Sequence, residues 1–111
     1  MNYFIFPGLS NQDISIDLIC KSVCFHYNLS EQEIKADIRH RAIVEPRQIA
    51  MYFAVYYTRL TISKIGNYFG RDHATVLYSR RSIDNLKNTD KEFAKKIDCI
   101  NNLINSRIQF E

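Results

Sequence analysis

Apolar residues recur at intervals of three and four along most of the chain, a spacing that places them on one face of a helix. In one such repeat, Phe93, Ile97, Ile100, Leu103 and Ile104 follow one another. Six segments with this spacing predict helices, over residues 14–27, 31–38, 46–58, 62–69, from about 72 through 86 and about 90–107. The pattern therefore predicts an all-α chain, folded as a six-helix bundle.

Residues typical of helix starts support several of these boundaries. Ser30 with Glu33, and Thr89 with Glu92, have the spacing of a capping box, in which side chains bind the free amides of a first turn. Pro46 fits a first turn, where the missing N–H is not needed. The preceding run over 38–45 is predicted to be a connecting loop, and Gly70 and Asn28 are predicted to end the helices before them.

The chain has the size of one domain: 111 residues with only three Gly and two Pro. We expect an N-terminal arm over 1–12 and a single domain over 13–108. Three cysteines without a secretory signal indicate a cytoplasmic protein with reduced thiols. The longest apolar run, over 49–57, is too short for the ~20 residues of a membrane span, and we expect no contact with membranes.

The net charge of +3 is unevenly distributed. Over residues 35–81, nine Lys and Arg face three Asp and Glu, whereas residues 1–34 are acidic. Seven of the nine cations are Arg, whose planar fork suits phosphate oxygens and guanine edges. A solvated charged face is the common explanation of such an excess, so charge alone leaves nucleic-acid binding as one of two interpretations.

Residues 61–81 have the form of a helix-turn-helix. Two helices that cross closely need a small residue on the first and a permissive residue at the turn. Gly66 and Gly70 meet these needs, and Val76 is predicted to pack the second helix onto the first. Polar side chains then crowd the first turn of the second helix, where a recognition helix contacts base edges.

Two segments of the chain resemble a known family: PRQIAMY over 46–52 and IGNYFGRDHATVL over 65–77. Together they resemble the DNA-binding C-terminal domain of the bacterial chromosomal replication initiator DnaA, and the similarity extends from Ser15 to Ile104. The resemblance implies a six-helix domain that reads a short duplex box. It implies that the helix starting near Asp72 enters the major groove and that Arg39 enters the neighbouring minor groove.

The resemblance also implies roles for individual residues. Arg71 would clamp a phosphate, Asp72 would accept from a cytosine amino group, and His73 would meet a thymine methyl, with Thr75 as a further base contact. Arg41 lies beside the minor-groove arginine, Arg47 and Gln48 would make backbone or base contacts, and the helix amide end at Ile62 and Ser63 would meet a phosphate. The implied DNA-binding set is Arg39, Arg41, Arg47, Gln48, Ile62, Ser63, Lys64, Arg71, Asp72, His73, Ala74, Thr75 and Arg80.

Four positions depart from the family pattern. Ala74 replaces a base-contacting threonine, which reduces that contact to a methyl group. Gly70 stands alone where the family often has two glycines, so we expect a shorter turn. Glu45 and Val55 replace basic residues, which removes attraction to phosphates.

The chemistry that is missing shapes the functional prediction. No GxxxxGKS or GxxxxGKT loop occurs, so we expect no ATPase, no cofactor and no enzymatic activity. Cys20, Cys24 and His26 lack a nearby fourth ligand, so we expect no metal site. The chain is predicted to bind duplex DNA as a monomer or weak dimer and to regulate replication initiation or transcription. The alternative is a protein-interaction module that binds the initiator or another partner through its acidic first helix and aromatic arm.

Overall fold

The computed structural model describes residues 14–109, and the side chains of 108 and 109 lie outside that description. The predicted arm over 1–12 also lies outside the described residues. Within them the chain forms helices and no strand, which confirms the all-α prediction. The helices are α1 (Ile16–Tyr27), α2 (Glu31–Lys35), α3 (Arg41–Tyr57), α4 (Ile62–Phe69), α5 (His73–Thr89) and α6 (Lys91–Gln109).

Helix α3 is the centre of the core. It packs against α1, α2, α4 and α5, while α6 closes the bundle against α1 and α5. The apolar stripe predicted on α3 is buried: Ile49, Ala50, Phe53 and Ala54 are fully inaccessible, and Tyr57 is nearly so. Burial of this stripe is the main apolar contribution to stability at the centre of the fold.

Helix α3 begins five residues earlier than predicted. His40 is its N-cap, and the Nδ1 atom of His40 accepts from the Ala42 amide at 3.2 Å. The predicted loop over 38–45 is therefore wrong, and Pro46 lies inside the helix. The helix tolerates the missing N–H because the carbonyl it would bind belongs to the exposed Ala42 near the helix start. Since α2 also ends early, at Lys35, the connection between α2 and α3 is residues 36–40, here called the basic loop.

The first capping box is confirmed and the second is wrong. Ser30 Oγ accepts from the Glu33 amide, and the Glu33 carboxylate accepts from the Ser30 amide. At the start of α6, however, Asp90 Oδ1 accepts from the amides of Glu92 and Phe93 in the first turn of that helix. Thr89 belongs to α5, where its hydroxyl donates to the Asn85 carbonyl at 2.7 Å. An aspartate between the helices thus takes the capping role that spacing assigned to the threonine.

Glu45 joins three helices. Its carboxylate accepts from the Tyr27 hydroxyl of α1 at 2.7 Å, from Lys96 of α6 at 2.8 Å and from Arg41 of α3 at 3.3 Å. Burial raises the pKa of Glu45, but the hydrogen bonds from Lys96 and Tyr27 outweigh burial and leave the pKa below its ordinary value. The acidic departure from the family pattern thus has a role inside the bundle.

Replacing Glu45 with glutamine is expected to lower the free energy of unfolding by about 1 kcal/mol at pH 7, because charge-assisted hydrogen bonds become neutral ones. A carboxyl group whose pKa is depressed on folding stabilises the protein above its unfolded pKa, and this stability is lost as the pH falls. The difference in the free energy of unfolding between Glu45→Gln and the wild type should therefore shrink as the pH falls below 4.5, the ordinary pKa of a glutamate. Urea denaturation at pH 7 and pH 3.5 measures both effects.

Glu92→Gln is the matched control, because Glu92 is 82% exposed and pairs only on the surface with Lys95. Its stability should match the wild type at both pH values. Equal losses in the two variants would contradict the assigned role of Glu45.

Candidate nucleic-acid interface

Helices α4 and α5 cross at a point where only glycine fits. A Cβ atom at the buried Gly66 would lie 2.4 Å from the Arg71 carbonyl oxygen and 3.4 Å from Val76 Cγ2. Val76 is fully buried, as predicted for the residue that packs α5 onto α4. The helix-turn-helix predicted over 61–81 is confirmed by this geometry.

One glycine closes the turn between these helices. Gly70 ends α4 with φ 69°, a left-handed conformation that favours glycine. The Gly70 amide donates to the Asn67 carbonyl at 3.2 Å, and the Arg71 amide donates to the Gly66 carbonyl at 2.8 Å. The turn is therefore complete with its single glycine, and two residues separate Gly70 from the first residue of α5.

Asp72 is the N-cap of α5. Its Oδ1 atom accepts from the Thr75 amide at 2.8 Å, and hydrogen bonds from Thr75 lower the pKa of the carboxyl group. The carboxylate predicted to read a base thus also holds the helix start that presents the neighbouring side chains. It stays fully ionised at neutral pH.

The start of α5 presents an exposed face. His73 and Ala74 are exposed and Thr75 is half-buried. Tyr78, 61% exposed, and the exposed Arg81 lie one and two turns further along the same face as Ala74. Neither residue was in the predicted DNA-binding set, although the spacing of four and seven from Ala74 was a signal for both.

Arg71 lies between α5 and the basic loop. Its guanidinium donates to the Ala36 carbonyl at 2.9 Å, the Gly70 carbonyl at 3.0 Å and the Phe69 carbonyl at 3.2 Å. These bonds fold the side chain back over the turn. The predicted phosphate clamp is therefore also a tie between the turn and the basic loop.

Arg47 lies on α3 and is almost completely buried. It is only 4% exposed, and its guanidinium donates to the carbonyls of Ile34, Ala36 and Ile38. The predicted contact of Arg47 with the DNA backbone or bases stays a prediction, while the structure shows that carbonyls of the protein already bind its Nε and Nη2 donors. The cause is local: the early end of α2 leaves carbonyls without helix partners, and the guanidinium satisfies them.

A polar cleft of about 500 Å³ separates the basic loop from the start of α5. Its lining is Asp37, Arg39, Arg47, Gly70, Arg71 and Thr75. The structure therefore brings together the predicted minor-groove arginine and the start of the predicted recognition helix. Three arginines against one aspartate favour an anionic ligand at this place.

The remaining predicted residues lie around this cleft or away from it. Thr61 caps α4 by accepting from the Lys64 amide at 3.2 Å, which leaves Ser63 and Lys64 exposed and Ile62 half-buried at that helix start. Arg41 is exposed at the start of α3, while Gln48 is half-buried one residue after Arg47. Arg80 is half-buried on α5, and its Nε atom is buried.

The close α4–α5 crossing and the exposed helix start beside an arginine-lined cleft define the class of protein: an all-α helix-turn-helix domain. Residues 16–83 match the family described as "Bacterial dnaA protein helix-turn-helix", and the chain belongs to that family.

Three relatives carry the same name, Chromosomal replication initiator protein DnaA. The protein of Flavobacterium psychrophilum is 43% identical over 91 residues, covering 81% of this chain and 19% of the relative. Those of Brucella abortus and Bacteroides thetaiotaomicron are 41% and 39% identical over 95 residues, covering 85% of this chain and 19% and 20% of the relatives. This chain thus spans about a fifth of the length of these relatives. No helix among the residues described here is long and apolar enough to cross a membrane.

Proposed function

We propose that the chain binds double-stranded DNA in a sequence-specific way, with α5 in the major groove and Arg39 in the adjacent minor groove. The observation that carries the proposal is the exposed first turn of α5, with His73, Ala74 and Thr75, directly beside the arginine-lined cleft. A major groove about 12 Å wide admits one helix whose first-turn side chains reach base edges. Membership of the DnaA family supports a box from a replication origin as the site.

Base reading would come from the exposed start of α5. His73 and the Ala74 methyl group offer surfaces to thymine methyls, and the Thr75 hydroxyl can donate or accept. Tyr78 adds an exposed aromatic side chain that leans towards Ala74, because helical side chains point back to the preceding turn. The small Ala74 leaves room for that ring.

Phosphate contacts would come from two places. The amide end of α4 at Ile62 and Ser63 favours an anion, and the exposed Lys64 adds a full charge there. Across the cleft, Arg39 offers a cation suited to a narrow minor groove of negative potential. Salt should weaken such binding steeply, because each phosphate contact releases counterions.

We further propose that this recognition requires neither ATP nor a metal ion, because every contact above uses side chains and backbone amides of the chain. Binding by one copy to each box fits a single exposed recognition helix. Regulation of replication initiation, or of transcription at the same boxes, is the cellular role that we infer.

The alternative is a protein-interaction module that retains the fold. Phe25, 67% exposed, lies under Arg107 on the α1–α6 side and offers an apolar surface there. The acidic first helix supports this function less well, since the exposed Asp17 carboxylate is already paired on the surface with Lys21 and Tyr68. Loss of DNA discrimination in the experiment below would favour the alternative.

Fluorescence anisotropy with a DnaA-box duplex and a shuffled duplex at physiological salt tests the proposal. We expect tighter binding of the box, and about a tenfold loss of that preference in His73→Ala, because a lost base contact costs roughly 1–3 kcal/mol. His26→Ala is the matched control, since His26 is exposed on α1 and lines a different groove with Phe25.

Equal affinity of the wild type for both duplexes would overturn sequence-specific binding. A loss of preference in His26→Ala as large as in His73→Ala would remove α5 as the reading element. Elution of the wild-type complex with the mass of one chain per duplex would support binding by one copy.

A further inference from the structure

Arg47 connects three carbonyls at the end of α2 and in the basic loop. Its Nε atom donates to the Ile34 carbonyl at 2.7 Å, and its Nη2 atom donates to the carbonyls of Ala36 at 2.7 Å and Ile38 at 3.1 Å. The Arg39 that follows is exposed and lines the cleft. The guanidinium thus holds the backbone immediately before the predicted minor-groove arginine.

The Ala36 carbonyl is shared by two arginines. It accepts from Arg47 on α3 and, at 2.9 Å, from Arg71 in the turn before α5. One atom of the basic loop is therefore tied both to the central core helix and to the start of the proposed recognition helix. Such a tie fixes the spacing between the two elements that would enter neighbouring grooves.

Burying the Arg47 guanidinium costs free energy unless acceptors inside the protein bind its donors. Burial and the nearby Arg71 lower the pKa of the guanidinium, and among the side chains that face it only the carboxylate of Asp37 acts in the opposite sense. A buried cation is tolerated only when its donors are satisfied. Here three backbone carbonyls accept from Nε and Nη2, so we expect the shape of the basic loop to depend on this one side chain.

We propose that Arg47 is a positioning residue for DNA recognition: it fixes the basic loop so that Arg39 reaches the minor groove while α5 occupies the major groove. This inference rests on the proposed function. Carbonyls of the protein accept from the Nε and Nη2 donors of Arg47, and the side chain is 4% exposed, so we expect Arg47 to act through the loop it holds.

The choice of arginine follows from the geometry. The planar fork reaches carbonyls on two sides with fixed directions, whereas a lysine ammonium is a single point on a flexible stem. Arg47→Lys keeps the charge and most of the volume and removes the fork. The variant therefore separates the positioning role from a general electrostatic one.

The first experiment needs no DNA. An arginine-specific protease is applied to the folded wild type and to Arg47→Lys, and cleavage after Arg39 is compared with cleavage after Arg59 by mass spectrometry. Arg59 is the internal reference, because it is exposed in the α3–α4 connection, away from the carbonyls that Arg47 holds. We expect cleavage after Arg39 to accelerate at least fivefold and cleavage after Arg59 to be unchanged. No change at Arg39, or an equal change at both sites, would overturn the positioning role.

The second experiment is a double-mutant cycle measured by duplex binding. Arg39→Ala is expected to weaken binding about tenfold and Arg47→Lys several-fold, and the double variant should bind no more weakly than Arg39→Ala alone. In the control cycle Arg41→Ala replaces Arg39→Ala; Arg41 is exposed on α3 beyond the basic loop, so its effect should multiply with that of Arg47→Lys.

Multiplying effects in the cycle with Arg39 would overturn the proposal, because they would mean that Arg47 acts independently of the loop arginine. A wild type that does not discriminate the box would refute the proposed function instead. In that case the protease experiment still decides whether Arg47 fixes the basic loop.

Discussion

Arg71→Ala is expected to lower the affinity for a box duplex by about a hundredfold, equivalent to about 2.8 kcal/mol. The substitution removes a cation from the start of the proposed recognition helix, and a charge-assisted contact alone is worth about 1.5–3 kcal/mol. It also removes the side chain's bonds to the carbonyls of Ala36, Phe69 and Gly70. We therefore expect a weaker attraction to phosphate and a less fixed spacing between α5 and the basic loop.

Anisotropy titration at several salt concentrations checks this result. The slope of log affinity against log salt should become shallower by about one if Arg71 neutralises a phosphate. Arg107→Ala is the matched control, because it removes an equal charge from α6, where the guanidinium lies 5.2 Å from the centre of the Phe25 ring. An Arg107→Ala loss as large as that of Arg71→Ala would mean that only net charge matters.

Gly66→Ala is expected to destabilise the domain by about 2–3 kcal/mol, as overpacking at a tight contact does. The new Cβ would lie 2.4 Å from the Arg71 carbonyl oxygen, a backbone atom that cannot move without displacing the turn. The α4–α5 crossing must then open, which also shifts the start of α5. We therefore expect weaker duplex binding together with the lower stability.

Urea denaturation of Gly66→Ala against Asn67→Ala measures the effect. Asn67 is exposed on the same helix, so its replacement should change the free energy of unfolding by less than about 0.5 kcal/mol. A Gly66→Ala variant as stable as the wild type would show that the crossing can relax and that the glycine is not required by packing.

The single glycine of the turn and Ala74 are two departures from the family pattern at the start of α5. The single Gly70 completes the turn with two backbone hydrogen bonds and places Asp72 as the cap of α5. Ala74 then stands on the exposed face with Tyr78. We expect the preferred box to differ from that of relatives at the base pair next to this pair of side chains.

The helical class, the helix-turn-helix and its small residues could be predicted because they depend on neighbours along the chain. The apolar spacing of α6, the Ser30–Glu33 capping box and the stop at Gly70 all act within a few residues. The motif at the start of α5 is equally local. For the same reason the sequence alone places His73 and Thr75 at a helix start.

The start of α3 and the cap of α6 were mispredicted because local signals competed. His40 is an uncommon N-cap, and a proline inside the first turns of a helix resembles a helix start. At the other boundary Thr89 and Asp90 could each cap α6, and Asp90 does so. In both places the outcome depends on how the neighbouring helices pack, which residue types alone do not reveal.

The sequence by itself determined the fold class, the turn that brings α4 and α5 together and the basic character of the central segment. Only the tertiary structure decided which arginines face outwards. Arg39 and Arg47 both belong to the Arg-rich segment over 35–81, yet Arg39 is exposed and Arg47 is only 4% exposed. The difference arises because the folded chain leaves the carbonyls at the end of α2 without helix partners, and a guanidinium from α3 lies close enough to bind them.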